Sequence, residues 1–263
     1  SQPSRVGKKG QKDRGSGRVQ GAGRGRNYLL EGKGLIINRG FTLAEVLITL
    51  GIIGIVSALT LPAVLAKAEK IILKNQFKKT YSMLSQAIDK SVVQYGARPD
   101  CYYGLNNNYA DSVNLAICSD FTENYLLKNL KIIKKCPEKS FENGCIPKYK
   151  GADDIKKEEN PDMTDEELQN EMSGVSGLKQ QNILNRSEAY VLSDGSVLVS
   201  YGTFLHPSLF MLDINGKKGP NKWGYDLFIL QGKSAKNIDK LILYINGMVI
   251  EKGGMDTKEL LLK

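Results

Sequence analysis

The feature that most constrains this chain is the stretch from Val46 to Ala66, 21 residues without a charge. Its composition (Leu, Ile, Val, Ala, with Gly51, Gly54 and Pro62) is apolar on every face. A helix rises 1.5 Å per residue, so such a run spans roughly 30 Å, the thickness of a bilayer's hydrocarbon core. A fully buried helix of a soluble protein has the same composition. The sequence beyond Lys67 argues against that reading, because it stays helical while one face turns polar. Ile71, Phe77, Tyr81, Leu84, Ile88, Val92 and Tyr95 recur mostly at steps of three and four, and Lys67, Lys70, Lys74, Lys78 and Lys79 fall largely on the other faces. Gly96 and Pro99 are stop signals. The pattern predicts one helix from Phe41 to Tyr95, first a membrane anchor and then the amphipathic spine of a folded head.

Between Phe41 and Ala66 the only charged residue is Glu45. Thr42 and Glu45 have the spacing of a capping box, which would satisfy free N–H groups at a helix start. A carboxylate there also complements the helix dipole. Carried toward the middle of a bilayer, however, a carboxylate costs about 2.5–3.5 kcal/mol and calls for a partner.

The order Gly40, then "FTLAE" (Phe41–Glu45), then some twenty apolar residues resembles the N-terminal signal of type IV prepilins and type II secretion pseudopilins. The resemblance covers about thirty residues. It implies that a prepilin peptidase cuts between Gly40 and Phe41 and methylates the new amine of Phe41. Glu45 is then the fifth mature residue, the position that pairs with the N-terminal amine of a neighbouring subunit, so each charge meets its opposite in an apolar fibre core. Gly51, Gly54 and Pro62 fall where the family carries helix-loosening residues; the two glycines also suit close helix packing in a membrane.

The segment before Phe41 is of another kind. Residues 1–40 hold four Lys, six Arg, one Asp and one Glu, hence +8 of the chain's net +9, and the body is nearly neutral. Gly-rich and almost free of large apolar side chains, this leader cannot bury a core and is expected to be disordered. Arg24 and Arg26 could grip nucleic acid without sequence preference, but the interleaved aromatics of a stacking platform are missing. A positive flank on the cytoplasmic side of a membrane helix explains the charge more simply. The first Met is Met83. The true start is therefore expected elsewhere, either ahead of Ser1 or, if residues 1–34 are upstream translation, near "LIINRG" (Leu35–Gly40). A competing reading of the apolar run is an ordinary secretory signal cut after Ala68, in "AVLAKA" (Ala63–Ala68). It is disfavoured by the length of the run and by Lys67 inside the cleavage site.

Residues 100–187 read as irregular. Four cysteines in a head outside the cytoplasm imply disulfides. Cys101–Cys118 and Cys136–Cys145 would close the shortest loops, although four cysteines allow three connectivities. Zinc is disfavoured, because no C-x-x-C spacing occurs and His206, the single His, is distant. "GADDIKKEENPDMTDEELQNEMSG" (Gly151–Gly174) is expected to be an exposed charged loop with one short helix starting near Thr164 or Asp165. After Ser187 the pattern changes to strands: a hairpin around Asp194-Gly195, strands in "SLFMLDING" and "DLFILQG", and a final hairpin around Asn246-Gly247. The fold class is α+β, a long N-terminal helix packed on an antiparallel sheet in a pilin-like roll. Five segments follow: a cleaved leader (1–40), a transmembrane and fibre-core helix (41–66), its amphipathic continuation (67–98), a variable disulfide-bearing region (99–187) and the sheet (188–263).

Asp213, Asn215 and Asp226 offer hard oxygen ligands in a stretch that resembles C-terminal loops of pilin-like proteins. Major pseudopilins bind calcium in such a loop, so calcium is a candidate here and no other cofactor is expected. Lys217, Lys218 and Lys222 and the lack of EF-hand spacing speak against it. His206 is expected on a surface loop. No catalytic constellation, Walker motif or dinucleotide fingerprint occurs, so an enzyme is not expected. The resemblance implies a structural subunit in the cytoplasmic membrane, single-pass with its head outside, then part of a periplasmic or cell-surface fibre for secretion, DNA uptake or adhesion. Its partners would be copies of itself, membrane lipid, the prepilin peptidase, and the inner-membrane platform and assembly ATPase, with no specific nucleic acid. The alternative is a membrane-tethered or secreted binding module that does not polymerise.

Overall fold

The computed structural model describes residues 40–99, 101, 115–234 and 240–261. The expectations for the leader, Arg24 and Arg26 included, lie outside the described residues. The chain divides into two compact units, up to Gly54 and from Ile55 onward.

Helix α1 (Leu43–Tyr95) contributes to both. Its sequence is rich in good helix formers, and Pro62 stands inside it. A helix-interior Pro removes one N–H donor, here the one that would reach Ala58, and is tolerated where the surroundings compensate. The helix ends as its sequence requires: Gly96 takes φ 88°, and its N–H donates to Val92 O at 3.1 Å. A left-handed residue closing a helix is normally Gly, which has no Cβ to clash.

In the first unit every described residue is exposed. The second unit is built on a six-stranded antiparallel meander in the order β1-β2-β3-β4-β5-β6. The strands are β1 (Ile132–Cys136), β2 (Ala189–Leu192), β3 (Val197–Ser200), β4 (Phe210–Asp213), β5 (Leu227–Ser234) and β6 (Leu241–Asn246). Gly195, at φ 90°, supplies the tight turn between β2 and β3.

Alternate strand residues enter two different cores. Tyr190, Leu192, Leu198, Phe210, Leu212, Phe228 and Leu230 pack with Phe77, Leu84, Ile88 and Val92 of α1. Phe77 meets Phe228 edge-on at 4.6 Å between ring centroids, a contact worth about 0.5–1.5 kcal/mol beyond its buried area. Tyr81 ties the helix to the sheet edge, its hydroxyl donating to Leu243 O at 2.5 Å. On the other face Ala189, Val197, Val199, Met211, Leu227 and Ile229 pack with Ile146, Tyr149, Ile155, Leu178 and Ile183.

That second core corrects the reading of residues 100–187 as irregular. The segment supplies strand β1 and the helices α2 (Leu115–Phe121), α3 (Ala152–Glu159), α4 (Asp165–Glu171) and α5 (Gln180–Arg186). The last three, with their linkers, roof the back of the sheet. The strands show why this had to be. In β3 and β4 all four residues are buried, the pattern of a sheet covered on both faces rather than one half-exposed. The segment Gly151–Gly174 is correspondingly two helices, not a loop with one. Gly151 sits where α3 and α5 meet: a Cβ there would overlap the Gln180 backbone. The close approach lets Asp153 Oδ1 accept the Gln180 N–H at 2.9 Å. Thr164 caps α4, accepting the Glu167 N–H at 3.3 Å while Glu167 accepts the Thr164 N–H at 2.9 Å.

The expected final hairpin is also corrected. Strand β6 forms, but the residues after Asn246 leave the sheet. The cause is Trp223, fully buried at the back. Its backbone N–H donates to Glu251 Oε1 at 3.0 Å, and its carbonyl accepts the Glu251 N–H at 3.1 Å. Its indole N–H donates to Lys150 O at 2.8 Å. The two bonds to the Trp223 backbone hold Glu251 at the back layer, away from the edge of the sheet.

Candidate functional site: the capped N-terminus of the long helix

Gly40 and Phe41 precede α1 and are exposed, Phe41 by 87 %. Thr42 caps the helix. Its backbone N–H and hydroxyl donate to Glu45 Oε2 at 2.8 and 3.0 Å, and the Glu45 N–H donates back to Thr42 Oγ1 at 3.2 Å. This is the reciprocal box that the spacing announced. Only Oε2 is engaged; Oε1 accepts nothing among the described residues. The carboxylate is thus fixed in direction next to Phe41 with one oxygen available to a further donor.

Among the described residues nothing covers the helix behind it. Its most apolar 18-residue window has a mean hydropathy of 2.3 and no buried residue, long and apolar enough to cross a membrane. A Cβ added at Gly51 or Gly54 would meet nothing within 4 Å, so neither glycine is needed for packing inside this chain. Thr49 and Thr60 turn their hydroxyls onto Val46 O and Val56 O, both at 2.9 Å, and so expose no unsatisfied donor to an apolar medium.

In the second unit the structure joins Cys101 to Cys118 and Cys136 to Cys145, with Cα–Cα distances of 4.8 and 6.3 Å. Both disulfides are buried. The second ties the end of β1 to the back layer, since both of its cysteines belong to that core.

Asp213, Asn215 and Asp226 lie together in the β4–β5 connection, but their oxygens face donors. Asp213 Oδ1 accepts the N–H groups of Asn215 and Gly216 at 3.0 and 2.6 Å. Asp213 Oδ2 accepts the Tyr149 hydroxyl at 2.5 Å. Asp226 accepts the N–H groups of Asn221 and Lys222, both at 2.8 Å. Asn215 and Asn221 each keep a buried Oδ1 without a donor. A cation would find two amide oxygens but no free carboxylate oxygen, so this donor set does not fit calcium; it fits a buried turn. Burial pushes the Asp213 carboxyl up to about 7, against the pull of its three donors, and raises Asp226 as well. Among the described residues no group of three His, Cys, Asp or Glu is placed to hold a metal.

His206 is buried, a correction to the expected surface loop. It lines a small apolar cavity with Leu84, Ile88, Leu205 and Phe210. Its Nδ1 faces the Ser208 hydroxyl, and burial lowers its pKa to about 4, so it is a neutral core residue at ordinary pH.

Sequence reasoning missed the Tyr149–Asp213 bond and the Trp223–Glu251 clamp. The apolar spacing of Ile146, Tyr149, Ala152 and Ile155, at steps of three, was a usable signal for the first. Nothing local announced the second, which links residues 28 positions apart.

A long N-terminal helix followed by an antiparallel sheet is a pilin-like α+β architecture, and a capped glutamate five residues past a glycine opens its apolar part. The comparison with known families agrees on that opening. The family model described as the prokaryotic N-terminal methylation motif matches residues 37–61. Another, described as a family of unknown function (DUF6613), matches residues 63–149. No curated protein and no solved structure matches the chain. The chain carries the prepilin-type signal of type IV pilins and pseudopilins, and with it the mark of a prepilin-processed subunit.

Proposed function

We propose that the protein is a structural subunit, a pseudopilin or type IV pilin-like protein, which prepilin peptidase cuts between Gly40 and Phe41 and methylates at Phe41. The observation that carries this is the capped Glu45 at the head of a bare apolar helix, within a matched methylation motif. The uncleaved chain waits in the cytoplasmic membrane, anchored once by residues 41–66, with its disulfide-bearing head outside. Platform protein and assembly ATPase then lift it into a helical fibre. In the fibre the free Oε1 of Glu45 takes the amine of a neighbour's Phe41, and Gly51, Gly54 and Pro62 let the helices adjust to one another. The head is a scaffold rather than an enzyme.

The test is the mature N-terminus. Mass spectrometry of protein from cell envelopes should find a peptide beginning at Phe41 and carrying one extra methyl group. A start at Glu69 would instead mean an ordinary secretory cut, with no anchor and no fibre-forming helix, and would remove the proposal.

A further inference from the structure

Charge is segregated within the second unit. Residues 67–98 carry seven Lys or Arg against two acidic residues, whereas residues 151–174 carry nine Asp or Glu against two Lys. These segments lie on opposite faces of the sheet, α1 in the front core and α3 in the back core.

The basic side holds a groove of about 450 Å³ between α1 and the turn after α2, lined by Lys79, Met83, Gln86, Lys90 and Asn129. Residues 79, 83, 86 and 90 follow helical spacing and share one face. Lys79 and Lys90 stand at its ends, exposed, with no ion pair or hydrogen bond among the described residues. Met83 and Ala87 give it an apolar floor.

On the acidic side most carboxylates are already used. Glu158 pairs with Lys150, Glu171 with Lys156 and Asp165 with Lys157. Asp153 and Asp154 accept backbone N–H groups at the starts of α5 and α3, and Glu167 completes the cap of α4. Glu159, Asp162 and Glu166 remain, all exposed and without a partner among the described residues.

We propose that the Lys79–Lys90 groove receives the α3–α4 corner of a second copy of this chain, through Glu159, Asp162 and Glu166. Within one molecule the two surfaces cannot meet, because the sheet lies between them. Between copies they meet head to tail, and a contact of that kind leaves one donor and one acceptor surface free at each end, so it propagates as an open series. The proposal rests on the fibre reading and adds to it what sets the register. An apolar helix face is non-directional and would allow neighbours to slide. Charged contacts of this exposed kind contribute little affinity but fix orientation and reject wrong alignments.

The experiment uses the mature full chain, half of it 15N-labelled, mixed and reconstituted into phosphatidylcholine vesicles at low salt. A water-soluble carbodiimide condenses a lysine amine with a carboxylate it touches, forming an amide and releasing water as the urea. Cross-linked peptides with one labelled and one unlabelled half come from two copies. They should join Lys79 or Lys90 to Glu159, Asp162 or Glu166. Raising the salt should lower their yield about tenfold. When one half carries Lys79→Glu with Lys90→Glu and the other carries Glu159→Lys, Asp162→Lys and Glu166→Lys, mixed-label links should form at the same positions with amine and carboxylate exchanged.

A photo-cross-linker at Val56 reports helix association independently. A Val56 ladder with no mixed-label link at these residues overturns this contact and leaves the fibre reading standing. Loss of both signals overturns the contact, as does a yield that salt leaves unchanged; the fibre reading, whose assembly uses a platform protein and an ATPase that the vesicles lack, is decided by the mature N-terminus.

Discussion

Asp213 offers the sharpest quantitative test of the head. Its carboxyl is fully buried and titrates near 7 in the folded protein, against about 3.9 when unfolded. Because the folded value is raised, the folded state holds its proton longer than the unfolded state does. The stability this proton supplies is complete below about pH 4 and is lost as pH rises through 7. Integrating the difference in bound protons, the part lost between pH 5 and pH 8 is roughly 2–3 kcal/mol.

The perturbation is Asp213→Asn. Asn keeps Oδ1 for the Asn215 and Gly216 N–H groups, and its Nδ2 can donate to the Tyr149 hydroxyl oxygen, which now acts as acceptor. The variant should therefore fold and lack the proton linkage. The assay is thermal unfolding of the detergent-solubilised chain by near-UV circular dichroism at both pH values. At about 2–4 °C per kcal/mol for a head of this size, wild type should lose roughly 5–10 °C more than the variant on going from pH 5 to pH 8. Parallel melting temperatures across that range would falsify the assignment of a raised pKa to Asp213. It would mean that the three donors, not burial, set the state of the carboxyl.

Three further outcomes are expected. Glu45→Ala should leave processing intact and abolish incorporation into fibres, measured by peptide mass and by sedimentation of sheared fibres; normal polymerisation would count against charge pairing. Replacing Cys136 and Cys145 with Ser should destabilise the head by roughly 2–3 kcal/mol, the value for so short a loop, and should raise proteolysis within Ile146–Leu184 before the front core yields. Uniform cleavage throughout the head would contradict a separate back layer. Trp223→Ala should cost about 3–5 kcal/mol in denaturant unfolding; a cost under about 1 kcal/mol would contradict a packed back layer around the indole.

The anchor and spine were legible because their cause is local. Periodicity, the Thr42–Glu45 spacing and the Gly96 stop depend on neighbours within a few turns. So do strands β2 to β6, each a short β-branched or aromatic run, whereas β1 ("IIKKC") lies in the stretch read as irregular. What escaped was the second layer. Its helices are short and strongly charged, and the only apolar clues were single residues such as Ile155 and Met172, whose burial depends on a sheet that comes later in the chain. The uniform burial of β3 and β4 held the missing hint, since "VLVS" and "FMLD" do not alternate as a half-exposed sheet would. At the site, the cap was readable, and the donors that fill Asp213 and Asp226 were not. They are backbone amides and a hydroxyl 64 residues away, and no oxygen-rich sequence reveals which way its oxygens will point.

The order of the strands has a consequence in time. From β2 to β6 the meander is assembled from successive neighbours, whereas Cys136 pairs with Ala189 only across the whole back layer. Contacts between close neighbours form early, and those that close long loops form late. The hairpins from Ala189 onward should therefore gather on α1 first, and β1 should be the last strand to join. Until it does, the underside of the sheet is bare, Trp223 has no roof, and the thiols of Cys136 and Cys145 remain open to an oxidant. Pulse-labelling hydrogen exchange during refolding would show protection at Phe210–Leu230 ahead of Ile132–Cys136. The waiting time between the two is the window in which this chain is most exposed to aggregation, and in which a chaperone would have most to hold.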